Sequence, residues 1–173
     1  MPRRFVRVAS ADDFEPTDEA KRILRESLLN REGWSIFEAT EQVSPLRVVA
    51  AFYAKRSGPQ LRDFLYVQFS EADLRSMGIT NFKNTLPFEP QDYPEDVRVL
   101  HHDLFPTSQQ ADQIMSQFQS KCAKLDHQAV IAEQAQIHNC STVSNRTKKN
   151  VRKRIENLAS ADPRFVVLQK SLT

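Results

Sequence analysis

The sequence predicts an α+β protein, with a small mixed sheet and flanking helices over residues 1–100 followed by a helical region over residues 101–173. Short aromatic and β-branched runs separated by Gly and Pro crowd the first part, whereas the second repeats apolar residues every three or four positions. Charge divides along the same line: residues 1–100 are nearly balanced, and residues 101–173 hold ten cations against six acids.

Residues 4–9 alternate as a strand does, and the loop Asp12-Asp13-Phe14-Glu15-Pro16 leads to a helix capped by Thr17 or Asp18 that runs to Asn30. Its Ala20, Ile23, Leu24 and Leu28 share one face, and Asp18 and Glu19 suit the positive amino end of the helix dipole. Gly33 ends it. Three strands are expected next, over 34–40, 46–55 and 61–69, with 48–52 as the buried centre. Ser70, with Asp73 three residues on, opens a short helix that Gly78 closes. Residues 79–96 hold three prolines and read as a loop, which places the boundary near residue 100. One more strand is expected at 97–100. Pro106-Thr107-Ser108 then starts an amphipathic helix with Ala111, Ile114, Met115, Phe118, Cys122 and Leu125 on one side, and residues 165–168 suggest a last short strand.

Composition narrows the function classes. With three glycines and neither GxGxxG nor GxxxxGK[ST], a Gly-rich phosphate loop is set aside. Two cysteines make no disulfide framework and fit a reducing, cytoplasmic compartment. The start MPRRFVRVASADDF lacks the apolar core of a signal peptide, and the longest apolar run, 48–54, is too short to cross a bilayer, so no membrane insertion is expected.

Residues 128–158 look like two helices separated by a tight polar turn. Val130, Ile131, Ala135 and Ile137 form the apolar side of the first, and Val151, Ile155 and Leu158, at i, i+4 and i+7, that of the second. Asn139, Ser141 and Thr142 lie between them as capping residues. Arg146, Lys148, Lys149, Arg152, Lys153 and Arg154 put six cations into nine residues. With the apolar positions turned inward these cover the outer arc, and Asn145, Arg146, Lys149 and Lys153 follow one exposed line that suits a major groove.

Ile131-Ala132-Glu133-Gln134-Ala135, then Ile137, then Ser141-Thr142-Val143-Ser144 resembles the helix-turn-helix pattern of bacterial regulators, with Gln136 where glycine is usual and a turn one residue longer. The resemblance implies DNA as partner, with Thr142, Ser144, Asn145 and Arg146 near base edges and Lys148, Lys149, Arg152 and Lys153 on phosphates. The first half is similar to the ParB/sulfiredoxin-like superfamily. A helix ending in Arg25-Glu26-Ser27-Leu28-Leu29, Gly33, a strand, and an apolar strand running into Ala54-Lys55-Arg56 carry that likeness. It implies Lys55, Arg56 and Arg62 at the phosphates of a nucleotide, with nucleoside triphosphate and Mg²⁺ as cofactors and nucleotide hydrolysis or DNA cleavage as the chemistry. Ala54 replaces the motif glycine, and Ser57 the second arginine.

A catalytic group for that chemistry would be drawn from Arg56, Arg62, Glu26, Glu38 and Asp63, the acids holding Mg²⁺ and activating water. The expected central strand has no carboxylate, and such acids are more often sheet-edge residues. His101 and His102, adjacent on a strand, point to opposite faces and do not share one ion without a kink. Cys122, His127, His138 and Cys140 match no standard zinc spacing and read as core cysteine and surface histidine. Phe64, Tyr66, Phe69, Phe82, Phe88 and Tyr93 are spaced as core or loop anchors rather than as a base-stacking platform. The expected function is a DNA-binding protein of bacterial, plasmid or other mobile-element type whose first domain handles nucleotide or phosphodiester; the alternative is a non-catalytic transcriptional regulator or a protein-interaction module.

Overall fold

Six strands hydrogen-bond into one sheet in the computed structural model, which describes residues 3–15, 17–58, 63–87 and 89–172. In chain order they are β1 (Arg4–Ala9), β2 (Trp34–Ala39), β3 (Phe64–Ser70), β4 (Lys83–Asn84), β5 (His101–Leu104) and β6 (Cys122–Leu125). Across the sheet they lie β4-β5-β2-β1-β3-β6, and every pairing is antiparallel, not mixed as the sequence suggested. The long β1–β3 ladder, from Arg4↔Ser70 to Ala9↔Leu65, is its spine.

Helices cover both faces. Phe5, Ala9, Trp34, Ile36 and Phe69 face helices α1 (Asp18–Leu28) and α5 (Ser108–Phe118). Thr17 caps α1 through a bond from the Ala20 amide at 3.1 Å, as expected. On the other face Val6, Val8, Phe37 and Phe64 pack against α2 (Pro45–Ala54), behind which lie α6 (His127–His138) and α7 (Asn145–Ala161). Ser70 and Asp73 form the expected capping box at the start of α3 (Glu71–Ser76).

Helix α2 replaces the strand expected at 46–55. Ser44 accepts from the Arg47 amide and Pro45 occupies the first turn, a strong helix start, while Ala50, Ala51 and Ala54 favour the helix against the two valines. Val48, Val49, Ala50, Ala51 and Ala54 are all fully buried, so the segment is apolar on every side because it is sandwiched, not because it is a central strand. The ParB/sulfiredoxin-like likeness rested on a strand leading into Lys55-Arg56; a helix leads there instead.

Other differences follow from where the chain must cross the sheet. Residues 95–98 form a short helix, α4 (Glu95–Arg98), and the strand expected at 97–100 begins at His101. Helix α5 stops at Phe118, so Cys122 and Leu125 belong to β6, paired with Val67 and Phe64. Pro163–Phe165 is a 3₁₀ turn running into helix α8 (Val166–Lys170), where a strand was expected. Since β5 and β6 both complete a sheet begun by residues 4–70, the boundary expected at residue 100 separates neither two sheets nor two cores. Among the described residues no helix is long and apolar enough to cross a membrane.

Candidate nucleic-acid interface

Helix α7 is held to the protein by an inner arc of Thr147, Val151, Arg154 and Ile155, all buried. Arg154 is a cation in an otherwise apolar seam. Its Nη1 donates to Gln134 Oε1 of α6 at 2.8 Å, and its Nη2 donates to the backbone carbonyls of Tyr53 at 3.3 Å and Arg56 at 2.5 Å. Asn150 Nδ2 adds a bond to the Lys55 carbonyl at 2.8 Å. These carbonyls lie at and just past the negative end of α2, so α7 caps α2 from the side. Desolvation lowers the Arg154 pKa to about 10, which leaves it charged at neutral pH. One of the six cations expected on the outer arc is therefore structural.

The first turn of α7 is also engaged. Ser144, its N-cap, accepts from the Thr147 amide at 3.2 Å; its own amide donates to the Gln91 carbonyl at 2.7 Å and its hydroxyl to Asp92 Oδ1 at 2.5 Å. Thr147 Oγ1 donates to the same Asp92 oxygen at 3.1 Å. Arg146 bonds Glu89 at 2.6 Å and also Asp92. Burial by itself would raise the buried Asp92 carboxyl, but the bonds from Ser144 and Arg146 outweigh it and hold the group below the usual carboxylate value. Ser144 and Arg146, expected at base edges, thus hold the 89–92 segment, while Thr142 and Asn145 stay exposed.

The outer arc differs. Lys149, Arg152 and Lys153 are exposed and Lys148 half-buried, and none of the four has an ion pair or side-chain hydrogen bond among the described residues. Several cations elsewhere are neutralised: Arg3 by Glu38, Arg22 by Glu19 and Glu26, Arg47 by Asp96 and Glu133, Lys121 by Asp73. Beside α7, at the capped end of α2, Arg56 lies over the Phe52 ring at 4.4 Å and Lys55 over the Tyr93 ring at 4.8 Å. Desolvation lowers the Lys55 pKa. The six side chains make a cationic surface extending from α7 onto the end of α2.

No family model, curated protein or solved structure matches this chain.

The residues expected to form a catalytic group are not brought together. Glu26 is exposed on α1 and bonded to Arg22, whereas Asp63 precedes β3 and pairs with Lys124 at 2.6 Å. Glu38 lies in β2 opposite Phe5, which is opposite Phe69. Asp63 is six residue steps from Phe69 along the chain, about 20 Å at strand spacing. Glu38 is held by Arg3, at 2.7 Å, and by His102 Nε2 at 3.4 Å, and the bond from Arg3 chiefly keeps its pKa low. Arg62 lies outside the described residues. Arg56 therefore contributes to the cationic surface and not to a carboxylate cluster.

Sequence reasoning missed the acids that hold α7, Glu89 and Asp92, because nothing local in Glu89-Pro90-Gln91-Asp92 announces a helix docking from more than fifty residues away. It also missed a polar cleft containing Arg7, His101 and Asp103. The available sign was an arginine inside the apolar strand Phe5-Val6-Arg7-Val8-Ala9.

Proposed function

We propose that this chain binds DNA along the phosphate backbone through the outer arc of α7, extended by Lys55 and Arg56. The observation that carries the reading is the contiguous set of cations on one arc of a helix, Lys148, Lys149, Arg152 and Lys153, none of which is ion-paired among the described residues. Flexible ammonium groups and exposed guanidinium groups on a rigid helix neutralise phosphates without reading sequence. Thr142 and Asn145 are the exposed polar side chains that remain for base edges, so sequence preference is expected to be weak. An acidic protein partner would use the same charges and would leave duplex DNA unbound, which separates the two readings.

Titrating the full chain with random-sequence duplex DNA at several salt concentrations tests this. The four α7 cations alone would contribute about −3.6 to the log–log salt slope, and replacing Lys149 and Lys153 together by Ala should reduce its magnitude by about 1.8. A slope unchanged by that double replacement, or no binding at low salt, overturns the proposal.

A further inference from the structure

The pairing of β1 with β2 ends at Val6↔Phe37, while β2 continues against β5 through Ser35↔Asp103 to Trp34↔Leu104. Between the parting strands lies a cleft of about 530 Å³, within the size range of small-molecule sites. Arg7, Trp34, Ser35, His101, Asp103 and Glu32 are among its lining residues. Gly33 makes this close approach of chains possible: a Cβ there would lie 2.7 Å from Asp103 Cβ.

Arg7 bridges the parting strands, its Nη1 donating to the Ser35 carbonyl at 2.9 Å and its guanidinium lying over the Trp34 ring at 5.3 Å. The side chain is partly buried, and desolvation lowers its pKa. Yet it has no ion pair among the described residues, and one bond uses one of its five N–H donors. Asp103 and, at the rim, Glu32 are the carboxylates lining the cleft; the Asp103 oxygens accept from Ser35 Oγ at 3.2 Å and Thr85 Oγ1 at 2.5 Å, and neither carboxylate is ion-paired with Arg7. A partly desolvated cation without a counter-ion is less stable than a paired one, and a matched anion relieves that cost.

We propose that this cleft binds a small molecule through an oxyanion, a carboxylate or phosphate group, gripped by the Arg7 guanidinium. The opposite wall sets the remainder of the ligand. His101 Nδ1 lies 2.9 Å from the Thr85 carbonyl, which can only accept, so Nδ1 carries the proton and Nε2 is an acceptor. Burial lowers the His101 pKa and keeps the ring neutral at pH 7. With Asp103 and Glu32 also acceptors, the body of the ligand carries hydroxyl or amine donors and not a second anionic group.

Trp34 is the single tryptophan of the chain, so its fluorescence reports this cleft directly. The full-length protein is titrated with sodium phosphate and, separately, sodium acetate, at ionic strength held constant with chloride. A saturable change with either anion is expected, and which one responds assigns the oxyanion. Arg7→Lys should weaken it at least tenfold, because a point charge replaces a planar fork. Glu32→Gln, at an exposed rim position, should tighten it about two- to fivefold by removing a like charge. The Lys149→Ala, Lys153→Ala variant should respond like the wild type. No saturable change with either anion, an unchanged affinity in Glu32→Gln, or loss of the response in the α7 variant overturns the proposal, whether or not Arg7→Lys folds.

Discussion

Arg154, in the middle of α7, donates to the backbone carbonyl of Arg56 at 2.5 Å and closes the carboxyl end of a helix 98 residues earlier in the chain. The helix that presents the cationic surface is thus fastened by one of its own cations. Replacing Arg154 by Met keeps the packing volume but removes its three hydrogen bonds, to Gln134 Oε1 and to the Tyr53 and Arg56 carbonyls. A loss of about 3 kcal/mol is expected, measurable by urea denaturation. An unchanged midpoint would show that water satisfies those acceptors.

Glu89 and Asp92 neutralise Arg146 at the start of α7. Glu89→Gln should strengthen DNA binding and steepen the salt slope by less than about 0.9, since Asp92 keeps its hold on Arg146. Fluorescence anisotropy with a labelled duplex measures both quantities. Weaker binding would mean that Glu89 positions α7 more than it screens it.

The Asp92 carboxyl is held below its ordinary value of 3.8. A group with a depressed folded pKa contributes stability above the unfolded value and loses it as pH falls toward the folded one. Stability should therefore drop as pH falls below about 4, and Asp92→Asn, already lacking that contribution, should show a shallower acid decline. Denaturation curves between pH 3 and pH 6 would show it, and parallel declines would refute it.

Gly33 has φ +89°, and an added Cβ would meet Asp103 Cβ at 2.7 Å and the Phe105 ring at 2.9 Å. Gly33→Ala should cost about 2 kcal/mol or more, through backbone strain and through pushing β2 from β5. Thermal unfolding checks the loss, and a shifted Trp34 emission would place it at the cleft.

Much of the fold was legible locally. The strand at 4–9, the Thr17 cap and the Ser70–Asp73 capping box depend on a few neighbouring residues, and all three form as the sequence indicates. The reading of 46–55 went astray because a β-branched, aromatic run bounded by turn residues satisfies a buried strand and a buried helix alike, and burial on all sides erases the periodicity that tells them apart. Of the site, the density of charge on α7 could be read directly. Which of those cations are free could not.

The sequence by itself determined that residues 143–158 hold a helix with an apolar inner arc and an excess of cations, because spacing and composition act within one element. Only the tertiary structure decided that Arg154 faces inward, that Glu89 and Asp92 occupy Arg146, and that Lys148, Lys149, Arg152 and Lys153 remain open. The partners of a charge are set by contacts between segments far apart in the chain, and no local pattern encodes those.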